Sequence, residues 1–212
     1  VSTFEEQLAL VLPADLPRRD EVIAKSGKHL DLIVEANQHF NLTRITTPRE
    51  AAIKHILDSV LPWKYFEGAR HVLDAGSGAG FPGIPLALVL PDVRFTLAES
   101  ILKRARFLDA VLDALELHNV EVAPERAEDV LRRRRIDVIT ARAVAPIERA
   151  IQLFSPALKS GARALLYKGP DVDTEILGAA ASAQKNKLKV RVVERYELPE
   201  SLGGRTLVEM LR

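Results

Sequence analysis

The chain has 212 residues and is 47% hydrophobic, with 30 Lys and Arg against 29 Asp and Glu. That suits one domain of ordinary size and excludes a disordered chain. The absence of Cys excludes a disulfide framework, a thiolate metal site and a cysteine nucleophile.

In chain order, residues 1–67 predict a helical extension. Ser2 and Glu5 have capping-box spacing ahead of Phe4, Leu8 and Val11. A second helix is expected from Arg18 to Asn37, weakened in its middle by Gly27. His39 to Arg44 reads as a loop, and Asn41-Leu42-Thr43 is either a side-chain-stabilised turn or part of a binding loop. Thr47 and Pro48 open a third helix that runs to about Leu61. His55 and Asp58 should share a face of it, either as a hydrogen-bonded lock or as a polar cluster at a substrate opening.

Residues 68–212 change period. Strands are expected at His71–Ala75, Arg94–Glu99, Val120–Ala123, Asp137–Ala141 and Ala162–Tyr167. Helices begin between them near Gly83, Ile101, Ala127 and Pro146. This alternation implies a mostly parallel sheet covered on both faces. A helix over Asp173–Ala183 and two last strands, Val190–Glu197 and Thr206–Leu211, complete seven strands. The short connection between the last two makes them antiparallel. No apolar run is long enough to cross a membrane and no secretory leader is visible, so a cytoplasmic protein is expected.

The strongest motif is Val72-Leu-Asp-Ala-Gly-Ser-Gly-Ala-Gly-Phe-Pro-Gly83, a strand, glycine loop and helix in order. Gly78 and Gly80 would let the backbone approach a ligand closely. Gly78 to Gly83 formally satisfies the dinucleotide fingerprint. Asp74, however, would repel a pyrophosphate and suits the ammonium group of S-adenosylmethionine. Glu99, followed by Ser100, is placed to accept ribose hydroxyls from either cofactor.

Asn41-Leu-Thr43, His55-Ile-Leu-Asp-Ser59, Asp74-Ala-Gly-Ser-Gly-Ala-Gly-Phe-Pro-Gly-Ile-Pro85, Glu99-Ser100, Lys103-Arg104, Phe107-Leu108, Arg126-Ala-Glu128, Ala141-Arg-Ala143 and Tyr167-Lys-Gly169 together resemble the bacterial small-subunit ribosomal RNA guanine-N7 methyltransferases, also called the glucose-inhibited division protein B family. Two departures are Thr206, where the family usually has His after the Arg matched by Arg205, and Ala75, where bulkier aliphatics are common. The resemblance implies a class I S-adenosylmethionine-dependent methyltransferase, Rossmann-like, with an N-terminal helical extension. It implies S-adenosylmethionine as donor and a loop guanine of 16S ribosomal RNA as acceptor, on naked RNA or the small subunit. Gly76, Phe81, Ala127, Glu128 and Arg142 would join Asp74, Gly78, Gly80, Glu99 and Ser100 at the cofactor.

Guanine N7 is an exposed lone pair and needs no deprotonation before attack. The reaction then rests on positioning, with no catalytic acid or base. Phe81 could stack on the guanine, line the cofactor pocket or simply pack the loop. Lys168 and Arg126 follow strands at the ligand end of the sheet, and with Arg205, Lys103 and Arg104 they are the candidate RNA contacts. Arg132–Arg135 reads more readily as a solvated helix end. Lys185, Lys187, Lys189 and Arg191 suit edge protection as well as an RNA grip. The charge balance hides a basic stretch, since residues 137–212 carry 12 basic and 9 acidic side chains. Five scattered His form no metal motif, and a monomer is the default. The competing readings are a small-molecule methyltransferase on the same fold, a nicotinamide-dependent oxidoreductase and a non-catalytic RNA-binding module.

Overall fold

The computed structural model describes residues 3–143 and 145–212. It opens with α1 (Phe4–Val11) and α2 (Arg19–Asn37). The capping box lies one residue later than the sequence suggested. Thr3 Oγ1 accepts from Glu6 N, and Glu6 returns a carboxylate to Thr3 N. Ser2 lies outside the described residues. Gly27 is a point of close approach: a Cβ there would lie 2.6 Å from Glu5 Cγ of α1.

The third predicted helix is interrupted. α3 (Pro48–Ala51) passes into a π-helical stretch, Ala52–Leu57, and then α4 (Asp58–Val60). Wider π turns change which residues stack along a helix, and such stretches recur at functional sites. Here His55 and Asp58 take different partners: His55 meets Thr43 and Phe81, whereas Asp58 meets Arg142, Arg205 and Tyr196. No hydrogen bond joins the two to each other, but Asp58 ties the helical segment to the sheet, and both side chains border one opening.

The strands are β1 (His71–Ala75), β2 (Arg94–Ala98), β3 (Val120–Ala123), β4 (Val138–Arg142), β5 (Arg163–Lys168), β6 (Lys189–Glu197) and β7 (Gly204–Leu211). They form one seven-stranded sheet in the order β3-β2-β1-β4-β5-β7-β6. The first five run parallel, and β7 inserts antiparallel between β5 and β6. The crossover helices are α5 (Gly83–Val89), α6 (Leu102–Leu115), α7 (Ala127–Arg133) and α8 (Ile147–Lys159). The helix expected over Asp173–Ala183 divides into α9 (Val172–Gly178) and α10 (Ala180–Asn186).

Alternate residues of a strand point to opposite faces. Val72, Val138 and Leu165 therefore share a core with Leu8, Val22, Ile33, Ile53 and Val60 of the N-terminal helices. Leu73, Ile139 and Leu166 pack on the other face against Ile151 and Phe154 of α8. The N-terminal helices thus serve as one cover of the sheet. The strand order reverses between β1 and β4, and a ligand crevice is expected outside the carboxyl ends of strands at such a switch point.

Candidate active site

The loop after β1 carries positive φ at Gly76 (72°), Gly78 (58°) and Gly80 (100°), a conformation that favours glycine. Its glycines have different surroundings. A Cβ on Gly80 would lie 2.5 Å from Ile84 Cδ1, and one on Gly83 would lie 2.4 Å from Leu97 Cδ2. Those two permit packing. At Gly78 a Cβ would meet only Gly76 O at 4.0 Å, so that position opens outward and leaves the backbone accessible. Substituting it would cause no clash within the protein, and what glycine preserves there is ligand approach and the left-handed backbone.

Two carboxylates fix this loop. Glu99 accepts from Gly78 N at 3.0 Å and from Ile101 N at 2.8 Å. Expected as a free ribose acceptor, it already braces the loop, with lone pairs to spare because a carboxylate offers about four acceptor sites. Fully buried Asp74 accepts from Gly83 N at 3.0 Å through Oδ2, while its Oδ1 has no partner. Burial pushes this carboxyl up to about 6.

Phe81 packs inward. Its ring stacks on His55 at 4.5 Å, lies 5.0 Å from His29, and carries the Arg142 guanidinium 5.3 Å above it. In this structure the ring packs the loop against His29 and His55. Burial holds His55 down at about 3, with Arg142 beside it adding to the effect. Thr43 serves a structural turn: its hydroxyl accepts from Ile45 N and meets His55 Nε2 at 3.1 Å.

Two cavities lie along the carboxyl ends of the strands. The first, of about 260 Å³, is lined by Gly76, Glu99, Ser100, Arg126, Ala127 and Glu128, together with Ala145, Arg149, Leu153 and Phe154 from the β4 turn and α8. The α8 contribution escaped sequence reasoning. Its one signal was Pro146 opening a helix at the carboxyl end of a central strand. Arg126, expected at RNA, is an exposed residue on the lip of this cavity.

The second cavity, of about 350 Å³, is lined by His55, Asp58, Arg142, Tyr167, Lys168 and Arg205 among others. Arg142, expected at the cofactor, lines this second cavity while its guanidinium also lies over Phe81 of the glycine loop. Asp58 is the hub. Its Oδ2 accepts from Arg142 Nη1 and Arg205 Nε, each at 3.2 Å, and its Oδ1 accepts from Tyr196 Oη at 3.0 Å. Burial raises the phenols of Tyr167 and Tyr196, so both act as donors. Lys168 is tethered, donating to Ala145 O at 3.0 Å and pairing with Glu175 at 2.6 Å.

After β4, Ala143 borders the second cavity and Ala145 the first. Ala143 has φ 58°, a left-handed conformation that costs a non-glycine residue about 1 kcal/mol. Lys103 is exposed at the start of α6, with its ammonium 4.3 Å from the Phe40 ring, and Arg104 beside it is half-buried. The arginine run from Arg132 is largely paired, to Asp129, Glu125 and Glu121.

A sequence profile described as rRNA small subunit methyltransferase G matches residues 23–202. The chain belongs to the rRNA small subunit methyltransferase G family. A ribosomal RNA small subunit methyltransferase G from Solibacter usitatus is 65% identical over 208 residues, covering 98% of this chain and 99% of that one. Another from Carboxydothermus hydrogenoformans is 37% identical, covering 89% and 82%. Among solved structures, the O-methyltransferase TomG from Streptomyces achromogenes, in complex with S-adenosylmethionine, superposes with a TM-score of 0.60 at 20% identity, covering 87% of this chain and 90% of that one. A Bacillus cereus O-methyltransferase in complex with S-adenosylhomocysteine gives 0.59 at 18%, covering 87% and 91%.

Membership of a methyltransferase family favours the S-adenosylmethionine reading over the nicotinamide one. The chain's residues fit S-adenosylmethionine. The unpartnered Asp74 Oδ1 is an anionic acceptor suited to an ammonium, and the outward side of Gly78 leaves room for close approach. Among the described residues no cluster of His, Asp and Glu suits a metal ion, and no helix is long and apolar enough to cross a membrane.

Proposed function

We propose that this chain methylates N7 of a guanine in a loop of 16S ribosomal RNA, with the first cavity for the donor and the second for the acceptor base. Family membership carries this reading, and the pair of cavities along the carboxyl ends of the strands supports it.

Asp74, Gly76, Gly78, Glu99, Ser100, Ala127 and Glu128 would hold the donor, with Gly80 and Phe81 shaping the loop. Bound there, S-adenosylmethionine supplies a methyl group made electrophilic by the sulfonium. The protein's work is then to present guanine N7 to it in line. The groups of the second cavity that could serve as bases are engaged. Asp58 is committed to two guanidinium groups and a phenol, and His55 Nε2 is committed to Thr43. Such a site suits a nucleophile that already bears a free lone pair, so catalysis comes from orientation. Arg142, Arg205 and Lys168 offer donors to guanine O6 or to flanking phosphates. Exposed Lys103 and Arg126, with Arg104, extend the cationic rim.

In A-form duplex RNA the N7 edge lies in a deep, narrow groove, so an unpaired or flipped-out guanine is the acceptor that fits. An enzyme that acts on bacterial ribosomal RNA would work in the cytoplasm. The test uses small subunits rebuilt with 16S RNA containing 7-deazaguanine, which lacks the reacting nitrogen. Methyl transfer to these should vanish while transfer to matched guanine-containing subunits persists. Equal transfer to both would overturn the N7 assignment.

A further inference from the structure

His29 lies in α2, far in sequence from the glycine loop, and is fully buried. Its Nε2 is 2.8 Å from Ala79 O. A carbonyl only accepts, so Nε2 carries the proton and donates. Its Nδ1 has no partner. Burial holds this imidazole down at about 4, so the neutral ring persists across the working range.

One side chain therefore governs three successive loop residues. It bonds the Ala79 carbonyl, its Cε1 lies 3.2 Å from where a Gly80 Cβ would be, and its ring is 5.0 Å from that of Phe81. Ala79 is itself buried, so its carbonyl would lose its partner without His29. Rotating the Ala79–Gly80 peptide would relieve that loss, because Gly80 tolerates many backbone angles. The α2 helix resists such a change: it packs on α5 and α6, and Lys28 reaches the α6 carbonyl of Ala114.

We infer that His29 is a positioning residue for the methyl donor, holding the glycine loop in its binding shape from the N-terminal helical segment without touching the donor. The inference depends on the loop holding S-adenosylmethionine and is independent of which nucleotide accepts the methyl group.

The test compares His29→Ala, His29→Gln and Leu30→Ala in the full chain. Leu30 is a buried neighbour on α2 and serves as a purely structural control. Calorimetry with S-adenosylhomocysteine, amide exchange of residues 76–83 in the free protein, and thermal melting are the readouts. H29A should weaken binding about tenfold and accelerate exchange in the loop. H29Q, whose amide supplies a donor, should recover most of that affinity. L30A should lower the melting temperature yet bind normally when assayed well below it. Should H29A not fold, H29Q and His29→Met both fill the space and only the former donates, so H29M must bind more weakly. Unchanged binding in H29A, equal binding in H29Q and H29M, or equal weakening in L30A would overturn the inference. A wild-type chain that fails to bind S-adenosylhomocysteine would overturn the donor assignment and this inference with it.

Discussion

The two cavities of this protein are built by opposite means. The proposed donor side is set largely by backbone: a glycine loop with three positive φ angles, braced by Glu99 and Asp74 through main-chain N–H groups. The proposed acceptor side is built of charged side chains from distant segments. Asp58 gathers Arg142 from the end of β4 and Arg205 from β7, and Lys168 reaches back from β5 to the β4 turn. A backbone cradle tolerates few substitutions at its glycines and depends on charge at the carboxylates that brace it. A side-chain cluster tolerates change in any one member's shape but not loss of its central counter-charge. Donor and acceptor binding should therefore fail separately.

The harshest break is Gly80→Val. Its Cβ would collide with Ile84 in a backbone already at φ 100°, so stability should fall by roughly 3 kcal/mol and S-adenosylhomocysteine binding should be lost. Denaturant melts and calorimetry measure both. Asp58→Ala attacks the other side. Two guanidinium groups lose their buried partner at a cost of roughly 3 kcal/mol. RNA affinity should drop at least about tenfold with donor affinity unchanged. Donor affinity falling in step with RNA affinity would show that the cavities are not separable.

Acid should sharpen the contrast. Asp74 titrates near 6 in the free protein, and an ammonium group needs its carboxylate. Below that pH the affinity for S-adenosylhomocysteine should fall about tenfold per unit, and Asp74→Asn should abolish the dependence. Global stability moves with it. His29 and His55 have folded values of about 4 and 3, below their ordinary 6.5, so they contribute stability above 6.5 that is lost on acidification. Asp74 is raised and opposes this, its contribution being present below 3.8 and lost as pH rises through about 6. Among these three groups the balance near pH 5 is proton uptake on unfolding, so their combined contribution to stability falls on acidification, which denaturant midpoints can follow.

The mildest change is Gly78→Ala. With open space at its Cβ, stability should fall by only about 1 kcal/mol, from the left-handed backbone. Any larger loss of donor affinity then measures how closely the ligand approaches that position.

The same contrast explains what the sequence made legible. The donor loop is local, so strand, glycines and helix could be read in order, and Glu99 and Ser100 fall at the end of the next strand. The acceptor side is non-local. Nothing in a linear pattern says that Asp58 meets Arg142 and Arg205, because a π-helical stretch redirects it and two crossovers separate the partners. Arg126 and Arg142 line different cavities, and strand order alone decides which strand ends lie beside which. His29 gave no sign at all, since its partner is a backbone carbonyl that no residue type announces.

The claim that joins these parts is that a guanine N7 enters the second cavity. Small ribosomal subunits from a strain lacking this modification, incubated with the protein and S-adenosylmethionine, can be digested and their 16S RNA mapped by mass spectrometry. A single N7-methylguanine in an unpaired segment is the predicted product, absent when Asp58→Ala replaces the wild-type protein. Methylation at another atom, or on a small molecule and not on the RNA, would contradict it.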